Sequence, residues 1–186
     1  MKKAFMLKSV VLAMVMAGGI SSAMAATSGS STTVTGGTVE FKGTVVDAAC
    51  SVTQKTADQT VYLDQVRTEA FAGKGTVANQ KQSFEIDLAN CDTQVASQAQ
   101  ITFEGNAAAG ETSVLDNTAG AGNAVGVGIQ IFDRDGSALD LGKASQALTL
   151  IDGTNAMKFS ADYYQTADTL TPGSVDTTAT FNVTYQ

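Results

Sequence analysis

Histidine and tryptophan are absent from all 186 residues, and proline occurs once. Without histidine the chain cannot assemble a Ser-His-Asp triad, a Cys-His nucleophile or a histidine-containing zinc site. Twelve aromatics, eight Phe and four Tyr, are scattered along the chain and form no visible sugar-stacking platform. Methionine is scarce outside the leader: five of the six fall within the first 25 residues. After that leader no apolar run approaches the ~20 residues that cross a bilayer. Nor does any segment of 12 or more residues hold a 3.6-residue apolar period, so long helices are not expected. The inventory gives no support for an enzyme.

Positive charge is also scarce. Residues 1–25 combine a basic start (Lys2, Lys3, Lys8), an apolar stretch from Val10 to Ile20 and the small-residue site Ala23-Met24-Ala25. This is the pattern of a secretory signal peptide, with cleavage expected before Ala26. Removing it leaves 161 residues with 8 basic against 18 acidic side chains, a net charge of −10. Such a surface suits solubility and argues against nucleic acid or an anionic membrane as a partner. The length is that of one domain.

Only two cysteines are present, Cys50 and Cys91. An even pair in an exported chain is read as a disulfide. The bridge would close a loop of about 42 residues, which the chain-entropy model values at roughly 4 kcal/mol. A metal site would need more ligands. Asp133 and Asp135 flank Arg134 before Gly136, but an EF-hand needs a glutamate at the twelfth position, which is Ala144. The Asp-Gly step is read as a hairpin turn instead. The glycines of G-A-G-N-A-V-G-V-G (120–128) lack a GK[ST] ending and are not a phosphate loop. Gly126 and Gly128 are expected on a strand face approached closely by other backbone.

What is present is alternation. Apolar residues at period two mark strands around Val61-x-Leu63, Phe84-x-Ile86-x-Leu88, Ile101-x-Phe103, Val125 to Ile131, Met157 to Tyr163 and Phe181-x-Val183-x-Tyr185. Gly- and Asn-rich segments separate them, so an antiparallel sandwich is expected. Residues 26–35 have the small, polar composition of a linker. Immediately after it, T-G-G-T-V-E-F-K-G (35–43) alternates again through Gly37, Val39 and Phe41. That segment has no evident use in a sandwich that is already closed. An extended segment can instead complete the open edge of a second copy, and a head-to-tail link of that kind builds an open filament. The competing reading is a self-contained secreted sandwich that binds carbohydrate.

These residues resemble the pilins of Gram-negative chaperone–usher pili, of the type 1 fimbrial kind. The likeness runs through G-G-T-V-E-F-K-G-T-V-V-D-A-A-C to Cys50, V-R-T at 66–68, N-C-D-T around Cys91, G-V-G-I-Q-I-F-D-R-D-G-S-A-L at 126–139, and the ending A-T-F-N-V-T-Y-Q. The resemblance implies an all-β, incomplete immunoglobulin-like sandwich completed by a donor strand from a neighbouring subunit. It implies a signal peptide at 1–25, a donor extension at 26–42 and a pilin domain at 43–186. Thr35, Gly37, Val39 and Phe41 would enter the neighbour's groove, with Gly37 at its tightest point; Thr35 stands where asparagine is expected in close relatives. Gly173, Phe181, Val183, Tyr185 and the Gln186 carboxylate would form the edge used by chaperone and usher. The implied partners are identical subunits in a head-to-tail filament, a periplasmic pilus chaperone, an outer-membrane usher, and minor tip or adapter pilins. No cofactor is implied. The product would be a surface fimbrium that supports cell adhesion.

Overall fold

The computed structural model describes residues 33–186; the signal peptide and residues 26–32 lie outside the described part. The chain divides into two units, one reaching to Gly43 and one comprising Thr44–Gln186. In the first, residues 33–43 form no regular element and are exposed.

The second unit is built almost wholly of strands: β1 (Ser51–Val52), β2 (Gln82–Cys91), β3 (Gln98–Gly105), β4 (Val114–Leu115), β5 (Val127–Phe132), β6 (Leu148–Thr149), β7 (Gly153–Gln165) and β8 (Ala179–Tyr185). Two short helical turns, α1 (Gln54–Ala57) and a 3-10 turn (Thr68–Ala70), interrupt them. One sheet has the order β1-β2-β7-β5-β4, the other β6-β3-β8, and every pairing is antiparallel.

The alternation sets the register. Phe84 and Ile86 of β2 lie opposite Phe159 and Met157 of β7, so their apolar sides share one face. Ile129 and Ile131 of β5 and Ile101 and Phe103 of β3 complete the layer between the sheets. Phe103 is its aromatic centre, with ring centroids 5.1 Å from Phe159, 6.1 Å from Phe84 and 6.3 Å from Phe181. Cys50 and Cys91 are joined by a disulfide.

Residues 133–137 form the expected tight turn, closed by the Gly136 amide on the Asp133 carbonyl at 2.8 Å. Gly128 is the expected close approach: a Cβ there would overlap the Leu115 carbonyl of β4. Val61 and Leu63 depart from expectation. Both are half-buried, as alternation requires, yet residues 59–67 form no strand. None of residues 58–66 shares a backbone hydrogen bond with another segment. Their period reports burial of one side and not membership of a ladder.

Candidate assembly groove

β8 is an edge strand, paired only with β3. The amide and carbonyl of Gln186 exchange hydrogen bonds of 2.9 Å with Gln98, which fixes which residues use the shared side. In an antiparallel ladder that side then belongs to Thr184, Asn182 and Thr180, opposite Gln100, Thr102 and Glu104. The amides and carbonyls of Phe181, Val183 and Tyr185 point the other way, where no strand is paired.

The same parity continues ahead of β8. Ser174 bonds Gly122 and Ala124, and Asp176 accepts from the Thr118 amide and is held by Asn117. Ser174, Asp176 and the even-numbered residues of β8 therefore spend their backbone groups inside the fold. Side chains follow the complementary rule: Val175, Thr177, Ala179, Phe181, Val183 and Tyr185 are half-buried, while the residues between them are exposed. Eleven residues of open edge, about 35 Å at ~3.3 Å each, thus run above an inward-facing row.

A groove lies along this edge. Its larger depression, about 400 Å³, is walled by residues 56–63 on one side and 175–181 on the other. Its floor is the sandwich interior itself: Phe84, Ile86, Phe103, Ile129, Ile131 and Ala161. A second depression of about 380 Å³ meets it at Val175 and is lined by Val66, Phe71, Val127, Tyr163, Leu170 and Gly173 among others. A groove over the apolar core, between two segments that share no ladder and beside an unpaired edge, is a sandwich with a strand place unfilled.

The residues expected at the site are distributed as follows. Phe181, Val183 and Tyr185 form the inward row of β8. The Tyr185 hydroxyl donates to the Cys50 carbonyl at 3.2 Å, tying the strand to the disulfide, and burial pushes its ionisation above the usual tyrosine value. A main-chain oxygen of Gln186 already accepts the Ser97 and Gln98 amides. Gly173 lines the second depression, but its own environment explains it. A Cβ there would overlap the backbone of Gly122, Asn123 and Ala124, where two chain segments cross in contact. In the first unit, Thr35, Gly37, Val39 and Phe41 are exposed, Val39 at 73 % and Phe41 at 89 %. A Cβ on Gly37 would meet nothing within 4 Å.

Val175 and Thr177 were not singled out by the sequence reading. The signal was available, because V-D-T-T-A-T-F continues the alternation of the final strand toward its start. Several buried polar side chains were also missed, among them Asn155, Asp162 and Gln165. Asp162 accepts the amides of Gln80 and Tyr163 at 3.0 and 2.8 Å, standing in for a carbonyl where segment 77–81 leaves the ladder. Burial raises its pKa above the ordinary aspartate value.

A family model described as fimbrial protein matches residues 39–186. The chain is 46 % identical over 184 residues to the type-1 fimbrial protein A chain of Escherichia coli K12, covering 97 % of this chain and all of that one. Among solved structures it is similar to a chaperone–usher pilus studied for rod uncoiling (30 % identity, TM-score 0.69, 84 % of this chain and 100 % of the other). It is also similar to the P pilus rod subunit PapA (27 % identity, TM-score 0.64, 75 % and 100 %). With the sandwich, its open edge and these matches in agreement, the chain belongs to the fimbrial protein family and is a subunit of fimbriae displayed at the cell surface.

Proposed function

We propose that the groove is the acceptor for residues 35–41 of a second copy, and that the chain serves a structural, non-catalytic role by polymerising through this donated strand. The observation that carries the reading is the open edge of β8 beside a groove that runs over the apolar core. A strand laid there satisfies the outward amides and carbonyls and places alternate side chains on the floor. The alternating, exposed segment from Thr35 to Phe41 has the required form. Each chain carries one donor segment and one groove, so the contact is heterologous and the product is an open filament. The first 42 residues divide into a signal (1–25) and a donor extension (26–42), with the acceptor domain from 43 onward.

Until a neighbour arrives, the groove needs a temporary cover. A periplasmic chaperone lending its own strand meets that need, and exchange takes place at an outer-membrane usher. Minor tip or adapter subunits of the same fold join through the same geometry. Thermal unfolding of a chain starting at Gly43, with and without a peptide spanning Ser31 to Thr44, tests the reading. A large rise in melting temperature with the peptide is expected, and a cooperative domain indifferent to it refutes the proposal.

A further inference from the structure

The inward row that borders the groove reads Val175, Thr177, Ala179, Phe181, Val183, Tyr185. Two of the six carry a hydroxyl, and only that of Tyr185 is used, by the Cys50 carbonyl. Oγ1 of Thr177 is buried and has no hydrogen-bond partner, and it is the one side-chain polar atom of that kind among the described residues. Thr177 lines the larger depression. Buried polar groups in folded proteins are almost always paired, and an orphan costs free energy that a valine of the same shape would not. Its neighbour Asp176 is anchored through its backbone to Asn117 and Thr118, so the chain at Thr177 is held in place in the groove wall.

We propose that Thr177 is the register-setting residue of the groove. Its hydroxyl is completed by a hydrogen-bonding group of the incoming strand and rejects alignments that place an apolar side chain against it. This rests on the donor-strand reading above. Apart from the fit of Gly37 at the groove's tightest point, little fixes a donor strand along its length, because backbone bonds repeat at every second residue and the floor is apolar. A slip of two residues keeps every backbone bond and every inward face. One polar position breaks that degeneracy. The partner group comes either from the donor backbone or from the hydroxyl of Thr35, the polar member of the donor row Thr35, Gly37, Val39, Phe41.

The test compares full-length wild type, Thr177→Val and Thr177→Ser as separated monomers and as polymers. Removing an orphan should leave the thermal midpoint of the Thr177→Val monomer unchanged or higher. Its polymer should dissociate about tenfold faster in guanidinium, and Thr177→Ser should dissociate at close to the wild-type rate. A role confined to folding would move monomer and polymer in the same direction, and that result overturns the proposal. So does a Thr177→Val polymer as long-lived as wild type. If the valine chain does not fold, Thr177→Ala takes its place, and equal dissociation of the alanine and serine polymers is the refuting result. Polymers carrying Thr35→Val identify the source: faster dissociation not additive with Thr177→Val assigns the Thr35 hydroxyl, and an unchanged rate assigns the donor backbone. Failure of the wild-type chain to polymerise would refute the donor-strand reading itself, a separate outcome.

Discussion

Replacing Phe41 by alanine offers a quantitative probe of assembly. In the single chain the Phe41 side chain is 89 % exposed, so nearly all of its apolar area remains to be removed from water. Full burial of a phenylalanine contributes roughly 1.5–3 kcal/mol, and at about 1.4 kcal/mol per decade the loss corresponds to roughly 10- to 150-fold. Polymers of the full-length Phe41→Ala chain should therefore fall apart faster by that factor in guanidinium, followed by size exclusion over time. Val39→Ala, with a smaller side chain already 27 % covered, should cost less, about tenfold at most. The unfolding midpoint of the unpolymerised chain should not move, because the phenyl group is exposed there. Fibres of Phe41→Ala as durable as wild type would refute burial of this segment in a neighbour.

Other substitutions separate assembly from folding. Gly37→Leu meets no obstacle within the single chain and should give soluble monomer but no fibres; normal fibres would contradict the assignment. Gly173→Ala sets a methyl group against the backbone of residues 122–124 and should lower the monomer midpoint by the equivalent of about 1–3 kcal/mol. A normal monomer with defective assembly would instead make Gly173 an assembly residue. Replacing Cys50 and Cys91 together by serine should remove roughly 4 kcal/mol of stability, read as a lower urea midpoint; an unchanged midpoint contradicts a structural disulfide.

Asp162 gives a pH test. Desolvation raises its pKa in the fold above 3.8, opposed by the amides it accepts. A group with a raised folded value stabilises fully below the unfolded pKa, and that contribution is lost as pH rises through the folded value. The deficit of Asp162→Asn relative to wild type should consequently narrow as pH rises above the ordinary aspartate value of 3.8, measured by urea midpoints. A deficit that widens refutes the argument.

The parts of the fold that could be read from the sequence were those in which one side chain in two reports burial. Phe84 to Leu88, Ile129 to Ile131 and Phe181 to Tyr185 became strands because alternation there coincided with a hydrogen-bonded neighbour. Val61 and Leu63 show the limit of that signal, since half-burial alone does not say whether a neighbour exists. The same ambiguity kept the groove out of the alternation itself, so that the family resemblance had to imply it: an edge lacking its partner has the same pattern as an edge possessing one. Asp162 and Thr177 were illegible for a different reason. An aspartate or threonine between apolar residues looks the same whether it faces water, fills a gap in a ladder or stands orphaned. Only the arrangement of Gln80 and Tyr163 around one, and of nothing around the other, distinguishes them.

The disulfide also bears on how a filament of the proposed kind would carry load. Tension drawn along the amino-terminal segment of one subunit enters its sandwich at Cys50, immediately ahead of β1, whose two residues pair with β2. A strand of that length would peel readily from its neighbour. The bond to Cys91 ties the same entry point covalently to the end of β2 beside Leu88 and Ala89, and β2 is a ten-residue strand paired along most of its length with β7. In a filament joined through that segment, as proposed above, the pull would reach the long β2–β7 ladder through a covalent bond and not only through the two-residue β1 pairing, so an oxidised subunit should resist extension better than a reduced one.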